Sequence, residues 1–261
     1  MKPAPFDLLR PTSVADAVTA LAQGGPEACV LSGGQSLGPM LNLRVVQPKL
    51  LVQVNHLPDL AGVDETPDAI TLGACVTHAA IAGGRTPDLA DGWLAGVAGA
   101  IAYQAVRNRG TIGGSLCHAD PAADWVVVLM ALDATVTLRS SSGARRVAVS
   151  DFITGPYATV LVAGEILTAV RIPCPPAGAA WRYLKACRKP GEFAHAMAAA
   201  LIAGTTRRLT IGALGSRPLL LTGEQVSLEG ASVALAGLDT VDRCMQLAMV
   251  RRVLDDATCG A

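Results

Sequence analysis

Aromatic side chains are rare in this chain: three Trp, three Tyr and three Phe among 261 residues. So few rings make an aromatic-lined groove a poor expectation, whereas 27 glycines favour close backbone packing and tight turns. Net charge is also missing. The 21 Lys/Arg and 21 Asp/Glu cancel, so there is no electrostatic case for a nucleic acid or an acidic membrane as partner. The seven cysteines (Cys29, Cys75, Cys117, Cys174, Cys187, Cys244 and Cys259) include no C-x-x-C pair. No zinc or iron–sulfur ligand set is therefore written here, and an odd, dispersed set points to reduced thiols in a cytoplasmic protein. The stretch MKPAPFDLLRPTS has no apolar core of a secretory signal. The apolar runs 94–102 and 125–132 are too short to span a bilayer. No segment fits G-x-x-x-x-G-K-[ST] or G-x-G-x-x-G, so the standard nucleotide motifs are absent as well.

What remains is a chain that is 51% apolar, enough for one large or two modest domains. Ser13-Val-Ala-Asp16 reads as a capping box opening a helix with Val14, Ala17, Val18 and Leu21 on one face. Gly24-Gly25-Pro26 ends it. Ala28–Ser32 and Leu50–Asn55 read as strands, which makes a small α/β unit of the first fifty or so residues. Further strands are expected at Ala69–Ala74 and Glu165–Ile172, with a hairpin pairing Ala134–Arg139 and Arg146–Val149. Helices are expected at 92–102 and at 121–132, the second with Asp120 as its N-cap. Pro173-Cys-Pro-Pro176 is a stiff linker. Beyond it the pattern predicts a strand at 181–188, a helix at 194–203, strands at 208–214 and 218–221, and a final helix at 241–255.

Two related glycine motifs stand apart. Leu31-Ser-Gly-Gly-Gln-Ser-Leu37 follows the first strand, and Gly110-Thr-Ile-Gly-Gly-Ser-Leu116 follows the basic Arg107-Asn-Arg109. Successive backbone N–H groups converge on phosphate oxygens only where no side chain blocks them, and flanking hydroxyls add neutral donors. Two such loops suit the two phosphates of a dinucleotide. Each alone also reads as an ordinary tight turn.

The residues around these motifs carry a resemblance. LSGGQSLGPMLNLR (31–44) resembles the A-G-G-x-S-L-L-P-x-M-x-L-R segment of the FAD-binding medium subunits of molybdenum hydroxylases, the xanthine dehydrogenase and aerobic carbon monoxide dehydrogenase family. RNRGTIGGSLCHADPAAD (107–124) is similar to that family's R-N-R-G-T-I-G-G-N-x-x-H-A-D-P-A-A-D. EILTAVRIP (165–173) and KACRKPGEFAHAMAA (185–199) match two further segments in order. The resemblance implies an α+β fold of the PCMH type in two lobes, about 1–56 and 57–176, then a small α+β domain at 177–261. FAD is the implied cofactor of this chain. A molybdenum-pterin cofactor in a large subunit and [2Fe–2S] clusters in a small subunit are implied for its partners, in heterotrimers paired into a hexamer. The implied activity is electron transfer from those clusters through FAD to an external acceptor.

The resemblance places Leu31, Ser32, Gly33, Gly34, Gln35, Ser36 and Leu37 on one side of the pyrophosphate, and Gly110, Thr111, Ile112, Gly113, Gly114 and Ser115 on the other. It makes Asp124 an acceptor for an adenosine or ribose hydroxyl. Leu31, Ile101 and Leu167 become apolar walls, and Lys185 a cation near the flavin. His118 and Asp120 close the second motif through a structural hydrogen bond rather than acting as a catalytic pair. Arg107 and Arg109 bind phosphate or face a partner. Three positions depart from the pattern: Ser115 replaces asparagine, Ser32 replaces alanine, and Tyr103-Gln-Ala-Val106 replaces x-P-Q-[VI]. The competing readings are a stand-alone flavin reductase on the same fold and a scaffold subunit that has lost its flavin.

Overall fold

The computed structural model describes residues 2–89 and 92–259. The chain opens with strand β1 (Asp7–Leu9), helix α1 (Val14–Gly24), strand β2 (Ala28–Leu31), short helix α2 (Leu37–Asn42) and strand β3 (Leu50–Gln53). Ser13 caps α1 as its motif predicts, its hydroxyl accepting from the Asp16 amide at 3.0 Å. The Asp16 carboxylate takes the Thr12 hydroxyl at 2.7 Å, a bond that lowers its pKa. The strands form a parallel sheet in the order β1-β3-β2. Val14, Ala17, Val18 and Leu21 bury the helix against it, in a cluster with Val52 and Val54.

A second sheet follows. Strands β4 (Val63–Thr66) and β5 (Ala69–Gly73) pair antiparallel, and helices α3 (His78–Ala82), α4 (Trp93–Gly99), α5 (Gln104–Arg107), α6 (Ile112–His118) and α7 (Asp124–Ala131) come next. Strands β6 (Thr135–Ser140) and β7 (Gly143–Ala148) form the expected hairpin, closed by α8 (Val149–Phe152) and the small ribbon β8 (Ile153–Gly155) and β9 (Ala158–Thr159). Strand β10 (Ile166–Pro173) runs through the middle, giving the antiparallel order β4-β5-β10-β6-β7.

The last third is the meander β11 (Ala180–Ala186), β12 (Ala196–Ala203), β13 (Thr206–Gly212) and β14 (Leu219–Thr222), followed by α9 (Leu228–Ala234) and α10 (Thr240–Cys259). Here the structure corrects the sequence reading. The helix expected at 194–203 is instead strand β12, Ala196–Ala203. Ala196, Ala198 and Ala200 face a cluster with Val250 and Val253 of α10. Met197, Ala199 and Leu201 join the core that holds α7. A strand buried on both faces shows no alternation, and an alanine run then reads as helix. Helix α7 is apolar on every side for the same reason: all eight of its residues are buried.

Two other expectations change. The second glycine motif is not a loop, because Gly113 and Gly114 sit in the first turn of α6. Helix α7 starts at Asp124 rather than near Pro121, and Asp120 instead accepts the Ala122 amide at 2.8 Å in a turn. Helix α9 was not expected from the sequence.

Candidate cofactor site

The two glycine motifs, about eighty residues apart in sequence, meet in space. The Ser32 hydroxyl lies 2.9 Å from the Thr111 hydroxyl and 3.3 Å from the Cys75 sulfur. Burial pushes the Cys75 thiol up, with the Ser32 hydrogen bond opposing. Gly33 is buried beneath this contact, and a Cβ there would fall on the carbonyl oxygen of Arg109. Only glycine permits that approach. Gly34 then turns the chain with φ +73°, and α2 begins three residues on.

The two motifs differ in what they leave free. Among the described residues, the N–H groups of Ser32, Gly33, Gly34, Gln35 and Ser36 have no protein partner. The Ser36 side chain caps nothing, and the Gln35 amide reaches only the Gly33 carbonyl, at 3.3 Å. In the second motif the amides of residues 112–115 are already satisfied. Ile112 N–H donates to Val76 O, Gly113 N–H to Ala74 O, Gly114 N–H to the Thr111 hydroxyl and Ser115 N–H to Thr111 O, all at 3.0–3.1 Å. Gly113 is needed for packing, since a Cβ would lie 2.6 Å from the Ala74 Cβ. Five successive unpaired donors on a half-buried loop form an anion cradle, and the second motif is the rigid wall against it.

Other predicted residues surround this pair. Leu31 ends β2 and Leu37 begins α2, both half-buried. Gly110 O accepts the His78 amide at 2.9 Å. Ile101 is half-buried and bridges in parallel to Gly191. Leu167 is fully in the core of β10, beside a bulge in its pairing with β6. Asp124 is buried at the start of α7. One of its carboxylate oxygens accepts from Lys185 Nζ and from the Tyr183 hydroxyl, each at 2.7 Å. Lys185 also donates to Ala100 O at 3.1 Å. Burial first, then the Asp124 charge, holds the Tyr183 phenol well above its usual pKa, so it stays a donor. Asp120 accepts the Tyr157 hydroxyl at 3.1 Å, and the His118 ring lies 5.2 Å from that of Tyr157. The pair is thus tied to a turn of β8–β9.

Sequence reasoning passed over two residues that build the site and misjudged a third. Tyr183 completes the Asp124 cluster. His78 is buried, and its Nδ1 accepts the Trp125 indole N–H at 3.1 Å. Desolvation and the neighbouring Arg107 charge lower its pKa from 6.5 to about 4. Arg107, expected to bind phosphate or face a partner, has its guanidinium turned to the backbone instead: it donates to Ile101 O and Ala102 O at 2.8 Å each. The apolar runs around these side chains gave no signal of such pairings.

Among the described residues no group of three or more His, Cys, Asp and Glu is assembled to hold a metal. No described helix is long and apolar enough to cross a membrane. Two cavities, of about 320 and 540 Å³, lie away from the motifs, around Thr205, Arg207 and Gly223.

A cradle of free amides on a parallel α/β lobe, set against a capped helix of an antiparallel lobe, defines a dinucleotide-binding α+β protein. Residues 4–175 match the model of the FAD binding domain in molybdopterin dehydrogenase, and the chain belongs to that family as an FAD-containing oxidoreductase subunit. It is 38% identical over 219 residues to the 6-hydroxypseudooxynicotine dehydrogenase complex subunit alpha of Paenarthrobacter nicotinovorans, covering 82% of this chain and 74% of that one. It is 36% identical over 220 residues to the carbon monoxide dehydrogenase medium chain of Afipia carboxidovorans, covering 82% and 75%. The fold superposes over the whole of both chains on carbon monoxide dehydrogenase from Hydrogenophaga pseudoflava, solved without the Mo-pyranopterin moiety, with TM-score 0.89 and 31% identity. Quinoline 2-oxidoreductase from Pseudomonas putida 86 gives TM-score 0.85 at 32% identity, covering 100% of this chain and 99% of that one. The expected PCMH-type fold, the resemblance to medium subunits and FAD as this chain's cofactor are therefore borne out.

Proposed function

We propose that this chain relays electrons within a molybdenum hydroxylase. It takes them from [2Fe–2S] clusters of a small subunit, with substrate oxidised at a molybdenum cofactor in a large subunit, and delivers them to an external acceptor. The working assembly is a dimer of such heterotrimers in the cytoplasm. The division into residues 1–176, in lobes 1–56 and 57–176, and 177–261 is part of the same reading.

The observation that carries it is the row of unpaired amides from Ser32 to Ser36, locked to the second motif through Ser32 and Thr111. These residues fit a pyrophosphate. The first motif supplies N–H donors and the Ser36 hydroxyl. The second supplies the Ser115 hydroxyl and a backbone without a side chain at Gly114, with Thr111 holding Ser32 in place. Bound FAD supplies reversible two-electron chemistry. The chain's own work is to neutralise two phosphates without a lysine, to exclude water with Leu31 and Ile101, and to hold Lys185 and Asp124 beside the cofactor. Lys185 offers its positive charge to a reduced ring.

The test is the visible spectrum of the purified chain with chromatography of the cofactor released on denaturation. Flavin bands and released FAD are expected, together with capture of Fe–S and molybdenum subunits when the three are co-expressed. A colourless protein that also refuses added FAD would refute the reading.

A further inference from the structure

Helix α4 is followed by three consecutive carbonyls, and each is taken by a cation from elsewhere. Lys185 of β11 holds Ala100 O, and Arg107 of α5 holds Ile101 O and Ala102 O. Cations at a helix C-terminus are favourable on electrostatic grounds, yet this arrangement does more than cap. Ala102 lies in the left-handed region at φ +41°, a conformation that a non-glycine residue keeps only when its surroundings impose it. Its carbonyl faces Gly191, where a Cβ would lie 2.7 Å from the Ala102 oxygen, and Ile101 bridges to Gly191. The Arg107 guanidinium makes a third bond, to the Gln104 side chain at 3.0 Å.

The other end of α5 touches the amide cradle. Gly110 N–H closes on Val106 O at 2.7 Å, and Gly33 packs on Arg109 and Gly110. One short spine therefore runs from the cradle, through α5, to the 188–193 segment that connects β11 and β12. A cofactor extended from the cradle along this spine would meet the Ile101–Ala102 turn and that segment next.

We propose that Arg107 is a positioning residue for the flavin. By fixing the Ile101–Ala102 turn it sets where residues 188–193 stand, and so shapes the wall beyond the pyrophosphate. Arg107 does not touch the cofactor, and its effect passes through Ala102 and Gly191. The inference rests on the FAD reading above.

The experiment compares R107Q, R107K and R107Q/A102G with wild type in the full chain. FAD affinity, visible circular dichroism of the bound flavin, and hydrogen exchange of residues 100–103 and 188–193 without FAD are measured. R107Q is expected to bind FAD with Kd raised about tenfold or more, as loss of charge-assisted bonds predicts. Its flavin dichroism changes and both segments exchange faster. R107K stands between R107Q and wild type. A102G recovers part of the affinity in the R107Q background, because glycine adopts the left-handed turn unaided. If R107Q does not fold, R107K and A102G/R107K carry the same comparison. A lower melting temperature with Kd within about twofold of wild type and superimposable dichroism would overturn the proposal and leave the FAD reading intact. Wild-type protein that takes up no FAD would overturn both.

Discussion

Acidification acts on His78 first. Its ring is buried between Trp125, whose indole N–H points at Nδ1, and Gly110, with the Arg107 charge close enough to matter. A second proton on the ring is disfavoured three ways: it loses hydration, it repels Arg107, and it sets a donor against the Trp125 donor. The folded-state pKa is about 4 against 6.5 for a free imidazole. Because the folded value is the lower one, the unfolded chain takes up the proton first as pH falls, so stability is full above 6.5 and declines below it. At about 1.36 kcal/mol per pH unit, the loss from this group reaches roughly 2 kcal/mol at pH 5 and roughly 3 kcal/mol below pH 4. Urea unfolding of wild type and H78Q at pH 8, 6.5, 5.5 and 5 isolates it, since carboxylates titrate alike in both. With m of about 3 kcal/mol/M for a chain of this size, the wild-type midpoint should fall by ~0.7 M more than that of H78Q. Parallel midpoints across that range would refute the assignment of His78 as a neutral, buried acceptor.

Three further outcomes follow from named contacts. G33A removes the gap that admits the Arg109 carbonyl, so the purified variant should lose bound FAD, read as loss of absorbance near the flavin bands; full occupancy would contradict the tight approach. K185M leaves the Asp124 carboxylate buried with only the Tyr183 hydroxyl, the side chains of the pair being 9% and 7% exposed. Stability should fall by about 3–5 kcal/mol, with D124N recovering much of it in the double variant; strictly additive losses would argue against a coupled pair. S32A deletes the hydroxyl that joins the motifs through Thr111 and should cost about 1 kcal/mol, seen as a lower denaturation midpoint with FAD still bound.

Much of this molecule was legible in its residues. Local chemistry acts over a few positions, so the Ser13 cap, the β6–β7 hairpin and the strands at β2, β3, β5 and β10 follow from pattern and turn residues alone. The four ordered segments carried the family and its cofactor. The sequence even held the Ser32 departure from the family's alanine, though not its consequence, a hydroxyl bridge to Thr111 across 79 positions.

Tertiary structure decided what depends on distant neighbours. Whether residues 196–203 are strand or helix turns on having α7 on one face and α10 on the other, which no local periodicity records. Whether a glycine-rich motif offers its amides or consumes them turns on what lies beside it. Val76 and Ala74 take the Ile112 and Gly113 amides of the second motif, and among the described residues nothing takes those of Ser32 to Ser36 in the first. The roles of Arg107, His78 and Tyr183 came from the same source, because a buried polar group must find its partner wherever the fold brings one within reach.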